Sequence, residues 1–502
     1  MAAQTFKAVV VGAGPAGLTA AYELAKQRAS VVVLEGDPQY VGGISRTVNY
    51  KGFRFDIGGH RFFSKSRAVE GLWTEIAGDD MLNRPRSSRI YYGGQFYTYP
   101  LKPFEALSKL GLFESLRCML SFAKARIRPK RNPLTFEDWV VNQFGRRLFE
   151  VFFKSYTEKV WGMSCQEISA DWAAQRIKGL SLASALKHAL FAKRKPNNRS
   201  QVVKTLIDTF RYPRLGPGMM WEAAAEKIRK LGGAVLLGRK VTGCRFDAAG
   251  KLWIVTSRNA AGHIEEFRGE HLISSMPVRE LVAQLGPQLP EAAIQAARSL
   301  RYRDFLTVGL IVREQDRVTD NWIYVHDSSV QVGRVQNYKS WSPDMVPDPA
   351  YCSYGLEYFC FEGDGLWNSS DSELVELAKR EIEKINLAAA ADVTDGCVIR
   401  QPKAYPVYDD TYQQHIATIR AAVEKNCPAL HLVGRNGMHK YNNQDHAMMT
   451  AMLTAKNILA GAQQYDVWAV NSDAEYHEAG AAGEVSTTVN REIAIGETVP
   501  AT

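Results

Sequence analysis

The apolar positions of this chain change their period several times, and each change marks a new element. Ala8-Val9-Val10-Val11 is an unbroken, mostly β-branched run, the pattern of a strand buried on both faces of a parallel sheet. Residues 18–27, rich in Ala, Leu and Glu, suit a helix. A second apolar run over 30–34 ends in Glu35. Between the first strand and the helix lies Gly12-Ala13-Gly14-Pro15-Ala16-Gly17. Strand, glycine turn, helix, strand and acid form the dinucleotide-binding βαβ unit.

That spacing has a physical reading. Gly12 permits the tight turn, Gly14 lets the backbone approach a pyrophosphate, and Gly17 lets the helix pack close to the strand. The pyrophosphate meets the free N–H groups and positive dipole end of the helix that opens with Pro15 and Ala16, the proline itself having no N–H to give. Glu35 accepts hydrogen bonds from an adenosine ribose, and its acid character argues against a 2′-phosphate there.

The pattern turns helical at 68–77, then gives two alternating aromatic runs around Gly93-Gly94 within 88–100, which predict a hairpin. Such a hairpin serves equally as a pocket wall or as core. From 104 to about 192 the period is helical, with Leu107, Leu110, Leu112 and Leu116 followed by a basic break containing proline. Thr135 and Asp138 supply an N-cap and first-turn acid for a helix through Phe144. Residues 217–231 predict an amphipathic helix, 234–241 a strand that includes Val241, and 252–256 and 272–276 further strands. Alternation over 307–361 predicts an antiparallel sheet containing Arg334 and Asn337. Its aromatic content makes it the candidate substrate floor. A strand and glycine turn follow at 430–437, then a helix at 447–459 whose N-terminus points inward.

The expected fold class is therefore α/β, with a discontinuous Rossmann-like nucleotide domain in segments 1–100, 201–300 and 411–465. A helical insertion fills 101–200, an antiparallel-sheet substrate domain 301–410, and a flexible tail 466–502, loosely held from Ser472 where Ala, Gly, Ser, Thr and Glu dominate.

Composition narrows the function classes. With 502 residues, 46% hydrophobic and 23% charged, the chain supports a substantial core. No run of about 18 uncharged apolar residues occurs, so a spanning helix is not expected, and the first thirty residues do not read as a signal peptide. Seven cysteines lack CxxC spacing. They predict reduced thiols in a cytoplasm and no metal site. The net charge of +9 is concentrated at Lys124, Arg126, Arg128, Lys130 and Arg131, and at Lys193, Arg194, Lys195 and Arg199. These read first as solvated helix ends or loops, with peripheral contact to anionic lipid and homo-oligomerisation left open. No nucleic-acid module accompanies the charge.

The residues after Glu35 carry a resemblance. Gly42-Gly43-Ile44-Ser45-Arg46-Thr47 and Gly52 to His60, with its Gly58-Gly59 pair, resemble the second glycine motif of the amine oxidase and glutathione reductase class. That resemblance implies FAD, lined by Gly43, Ser45, Arg46, Gly59 and His60 as well as by the first motif. It implies Gly434, Arg435, Asn443 and Gln444 at the closing turn and Val241 beside the nucleotide. A more specific likeness is to UDP-galactopyranose mutases, nearer the longer eukaryotic type. It is carried by Gly58-Gly59-His60 with Phe63-Ser64, Lys159-Val160-Trp161 with Arg176, Met276-Pro277-Val278, Gly333-Arg334, Ala404-Tyr405-Pro406, and Gly434-Arg435 leading to Tyr441 and Asn443-Gln444-Asp445-His446.

In that family reduced flavin N5 attacks the anomeric carbon of a nucleotide sugar and expels the diphosphate. The sugar recloses with another ring size and returns to the diphosphate, with no net redox change. The resemblance implies that Arg176 and Arg334 hold the diphosphate, a task suited to planar guanidinium groups. It places Tyr405 and Tyr441 beside the phosphates, Trp161 on the nucleotide side, and His60 in a loop that responds to flavin reduction; Asn337 is expected among the substrate-binding residues. FAD would act reduced, with NAD(P)H as a transient donor because no second Rossmann motif is present. Residues 178–216 and 344–361 depart from the mutase pattern. Two alternatives stay open: an FAD-dependent oxidoreductase or desaturase of an amine or apolar substrate, and a flavin-binding protein without catalysis.

Overall fold

In the computed structural model, which describes residues 4–170, 209–314 and 318–471, the first apolar run forms the strand Thr5–Val11. It lies between Ile264–Ser274 and Val31–Leu34 and is parallel to both. Ala234–Leu236 extends the parallel set beyond Val31–Leu34, and Leu430–Leu432 pairs with the end of Ile264–Ser274. Lys240–Asp247 and Leu252–Arg258 complete the seven-stranded sheet as an antiparallel edge. Three distant stretches of chain thus build one nucleotide-type sheet.

Both faces of this sheet are covered, which explains the unbroken apolar run. Ala8 and Val10 pack with Leu18, Ala447 and Met448 from the helices Pro15–Lys26 and Gln444–Ala460. Val9 and Val11 pack on the other side with Leu281, Val282 and Ile419. Full burial of each such aliphatic side chain contributes roughly 1.5–3 kcal/mol. The predicted strand over 234–241 is two strands, Ala234–Leu236 and Lys240–Asp247. Gly238 turns between them at φ +65, and its N–H bonds to the Asp37 carbonyl.

The second sheet also has seven strands, in the order Val393–Pro406, Tyr302–Arg313, Tyr351–Cys360, Arg334–Asn337, Trp322–Val325, Ser88–Tyr92 and Gln95–Thr98. Its pairs are antiparallel except Trp322–Val325 with Ser88–Tyr92. The aromatic hairpin, expected within the first nucleotide segment, therefore belongs to this sheet. Asn321 accepts a bond from the Ser87 N–H at 2.7 Å, and Arg89 donates to Asp320 at 2.7 Å. These two contacts seat it there.

Helices Pro103–Leu110, Leu112–Ile127, Phe136–Phe144, Arg146–Phe149 and Ser155–Trp161 form the insertion. Thr135 caps Phe136–Phe144 as its sequence predicts, accepting from the Asp138 N–H. The C-terminal helix begins three residues before its apolar pattern does, because Asn443 and His446 form a capping box. Arg176 and the tail from Ser472 lie outside the described residues.

A buried knot ties the two-stranded pairs Thr47–Tyr50/Phe53–Asp56 and Met81–Pro85/Thr209–Pro213 to the helices Pro217–Lys230 and Tyr338–Trp341. The Asp56 carboxylate accepts from Thr47 at 2.7 Å and from the Tyr212 hydroxyl, while its carbonyl accepts from Tyr338 at 2.8 Å. Thr47 in turn accepts from the Gly218 N–H at 3.0 Å. Burial pushes the Asp56 carboxyl up to about 7, against the pull of Tyr212 and Thr47. The folded protein therefore holds this proton longer than the unfolded chain does, and stability falls as pH rises from about 4 to about 7. Asp56→Asn should remove that component of the slope and gain a few kcal/mol relative to wild type between pH 5 and pH 8. Denaturant unfolding at the two pH values reads the difference; equal slopes would show that Asp56 is already ionised in the fold.

Candidate active site

The glycine turn opens a cavity of about 740 Å³ at the carboxyl ends of the parallel strands. Of the residues singled out in the sequence, Gly12, Gly14, Pro15, Ala16, Glu35, Gly43, Ser45, His60, Val241, Gly434, Arg435, Asn443 and Gln444 line it. Gly17 acts behind the wall: a Cβ there would stand 1.9 Å from the Gly12 carbonyl oxygen. Arg46 also stands back, bonding the Gly43 carbonyl at 3.0 Å and the Gln401 side chain, and so props the second glycine loop. Gly59 lies against the second sheet, where a Cβ would come 3.1 Å from Gln336 Nε2.

Gly12 sits at φ +94, a conformation that favours glycine, and any Cβ would come 2.4 Å from Ser275 Oγ. The Glu35 carboxylate receives the Ala13 N–H at 2.6 Å and the Asp37 N–H at 2.9 Å. Burial raises its pKa and these two donors oppose the rise. Helix Pro15–Lys26 starts at Gly14 with no capping side chain, which leaves its first turn to an anionic ligand. Also in the cavity wall, Asn436 Oδ1 and Gln444 Nε2 are buried without hydrogen-bond partners. One acceptor and one donor suit the mixed polar edge of a flavin ring, so glycine turn, acid and paired amides together fit FAD.

The second part of the site adjoins at His60. Its Nε2 lies 2.8 Å from the Ile57 carbonyl and 3.0 Å from that of Ile44, so this nitrogen carries the proton. Nδ1 faces Ser45 Oγ at 3.5 Å. Burial pushes the ring down to about 4, the two carbonyls oppose that, and Arg435 and Arg334 add to it. His60 is therefore neutral near pH 7. Gly58, at φ +87, leaves room beside it: a Cβ would stand 3.6 Å from Arg334 Nη2 and 4.0 Å from Tyr405 Oη.

Arg334 donates from Nε to Glu357, which is fully buried and also accepts from Gln336 at 2.8 Å. Burial works against the arginine charge, but Glu357 and the neighbouring tyrosines outweigh it and hold Arg334 above its ordinary pKa. Tyr405 and Tyr441 stack with centroids 5.6 Å apart and planes 15° apart. The Arg435 guanidinium lies 5.2 Å and 5.0 Å from the two ring centres, and Trp161 lies 6.2 Å from Tyr441. Burial pushes Tyr405 up to about 12, so it stays a neutral phenol.

His60, Arg334, Tyr405, Tyr441, Arg435 and Trp161 thus come together from five parts of the chain. Asn337 does not join them. Its side chain accepts from the Ser340 N–H to cap Tyr338–Trp341 and donates to the Val318 carbonyl at 2.7 Å, which consumes the amide in the fold. Lys159 is likewise structural, donating to the carbonyls of Val325, Asp327 and Val332. Arg303 bonds the Lys159 and Val160 carbonyls at 3.1 Å each and fixes the helix end that presents Trp161.

Sequence reasoning missed Glu357, which has no motif of its own, and Tyr156, which stacks on His326 at 4.7 Å and meets Tyr324 at 5.6 Å. It also missed Gln401 and Lys403 in the cavity wall. Arg61, next to His60, lies 5.0 Å from the Trp322 ring centre, and Arg86 lies 5.5 Å from that of Tyr99. Among the described residues no group of three or more His, Cys, Asp or Glu is arranged to hold a metal.

Comparison with known proteins gives a family match, a relative and two structural likenesses. The family model described as flavin containing amine oxidoreductase matches residues 15–459. A Klebsiella pneumoniae protein named "Probable UDP-galactopyranose mutase" is 28% identical over 173 residues, 32% of this chain and 43% of its own length. The match thus spans less than half of that relative. The crystal structure of a reduced UDP-galactopyranose mutase superposes with a TM-score of 0.78 at 22% identity, covering 93% of this chain and 98% of its own. One named "Putative protoporphyrinogen oxidase", from Exiguobacterium sp. 255-15, gives 0.69 at 16% identity, covering 91% and 100%. Both structural likenesses are of fold.

Glu35→Ala removes the cavity-wall carboxylate that holds the Ala13 and Asp37 N–H groups. It should weaken flavin retention about tenfold or more, read from the ratio of flavin to protein absorbance after dialysis. Retention equal to wild type would take Glu35 out of the cofactor contact.

Proposed function

Because the chain belongs to the flavin containing amine oxidoreductase family, we propose that it binds FAD and isomerises a nucleotide sugar between pyranose and furanose forms, without net redox change. The observation that carries this reading is the cationic, tyrosine-lined cleft beside the cofactor cavity, formed by Arg334, Arg435, Tyr405 and Tyr441. When bound and reduced, FAD supplies a nucleophilic nitrogen for the anomeric carbon.

The protein's own groups handle the leaving diphosphate. Arg334 is oriented by Glu357 through Nε, which leaves its terminal nitrogens for phosphate oxygens. Tyr405, protonated across the physiological range, donates a further hydrogen bond, and Tyr441 stacks against it. Neutral His60 contributes no charge beside the reacting ring. Trp161 offers an apolar face for the nucleoside end, and NAD(P)H serves as a transient source of electrons. The fold likeness to the reduced mutase supports this reading. A second reading, an FAD-dependent oxidoreductase of an amine or apolar substrate, draws support from the likeness to the protoporphyrinogen oxidase.

Anaerobic incubation of dithionite-reduced holoprotein with UDP-galactopyranose and other nucleotide sugars, followed by chromatography, separates the two. A ring isomer formed only after reduction is the expected result. No isomer, with flavin reduction by an amine or an apolar donor instead, would overturn it. Arg334→Lys keeps the charge next to Glu357 but loses the planar fork. It should lower isomerisation roughly tenfold to a hundredfold with flavin content unchanged.

A further inference from the structure

Helix Leu112–Ile127 is built the wrong way round for a soluble insertion. Its inward side carries small residues: Cys118 and Ala125 are buried, and Ser121 accepts from the Arg147 N–H at 3.0 Å. Gly145 lets this side approach closely, since a Cβ there would stand 2.6 Å from the Phe122 nitrogen. The large apolar residues point outward. Leu112 is 94% exposed, Phe113 74%, Leu120 62% and Ile127 78%, with Leu116 and Met119 above half. Seven of the ten exposed large apolar side chains among the described residues lie between 112 and 134.

At 3.6 residues per turn, Leu112, Phe113, Leu116, Met119, Leu120 and Ile127 fall within an arc of about 120°. Exposed cations border that arc. Arg117 and Lys124 stand along one side and Arg126 along the other, and Arg128, Lys130 and Arg131 follow the helix end. No acid occurs between Ser115 and Phe136. The nearest carboxylates are already paired: Glu114 with Arg117 and Arg147, Glu137 with Arg146, and Asp138 with Lys130.

An apolar stripe with a basic border matches the interface of an anionic bilayer, where the stripe enters the acyl boundary and the cations meet headgroups. A second copy meeting this face across a two-fold axis would set the cationic border against its own image. The helix has 16 residues, about 24 Å, so it lies along a membrane rather than across one. We propose that Leu112–Ile127, with the basic turn after it, docks this protein on an anionic lipid surface. This docking is independent of which substrate the cleft takes.

Flotation of the full-length holoprotein with phosphatidylcholine vesicles, with and without phosphatidylserine, tests it. Binding should require phosphatidylserine and weaken at high salt. Leu116→Ser with Leu120→Ser should reduce the bound fraction about tenfold or more, with flavin content and unfolding midpoint unchanged because both side chains face solvent. Lys124→Glu with Arg126→Glu and Arg128→Glu should abolish the dependence on phosphatidylserine. Failure of the wild type to float, or flotation indifferent to the serine pair, would overturn the proposal. So would a dimer in sedimentation velocity that the serine pair dissociates, which would give the face to a second copy.

Discussion

The Glu357 carboxylate has no exposed surface, and an ionised group in that position costs several kcal/mol unless a cation and further donors meet it. Arg334 and Gln336, on the neighbouring strand, supply them. This requirement holds Arg334 in one orientation, with Nε turned to the carboxylate and the outer guanidinium nitrogens toward Gly58 and Tyr405. The placement of the cleft cation is therefore a by-product of satisfying a buried charge. Gly58 fits beside that guanidinium, since a Cβ there would stand 3.6 Å from Nη2; burial, with Arg435 and Arg334 adding to it, keeps His60 neutral, and burial holds the Tyr405 phenol protonated against the pull of Arg334.

Those titratable groups share a bias. His60 loses its charge at about 4 and Tyr405 gains one only at about 12, while Arg334 stays cationic throughout. The cleft consequently presents the same fixed positive charge and the same hydrogen-bond donors across the whole range between them. Such a site suits a ligand whose negative charge is permanent, and it needs no proton exchange with that ligand to stay complementary.

Local spacing made the nucleotide half legible. Gly12, Gly14, Gly17 and Glu35 lie within one βαβ unit; the structure uses Gly12 for the tight turn and Gly17 for close packing as their positions predict, and brings Gly14 and Glu35 to the cavity wall. Long-range pairing was not legible in the same way. The hairpin around Gly93-Gly94 was visible, but its parallel pairing with Trp322–Val325 depends on a partner more than two hundred residues away. Asn337 looked like a site residue because it follows Arg334, yet strand alternation and a helix cap turn its amide into the fold. Glu357 carried no local signal, since a single acid in an apolar strand becomes meaningful only when its cross-strand neighbour is known. Leu112 and Leu116 gave a helical period correctly, but periodicity cannot tell which side of a helix is covered.

The parallel sheet takes strands from both ends of the chain, and Gly434, Arg435, Asn443 and Gln444 close the cavity that Gly12 and Glu35 open. During synthesis, the ribosome delivers the first wall several hundred residues before the last. The nascent chain must wait with one half of a cofactor site and the apolar side of Pro15–Lys26 uncovered until Gln444–Ala460 emerges to pack against it. The cavity is therefore complete only when Gln444–Ala460 is packed against Pro15–Lys26.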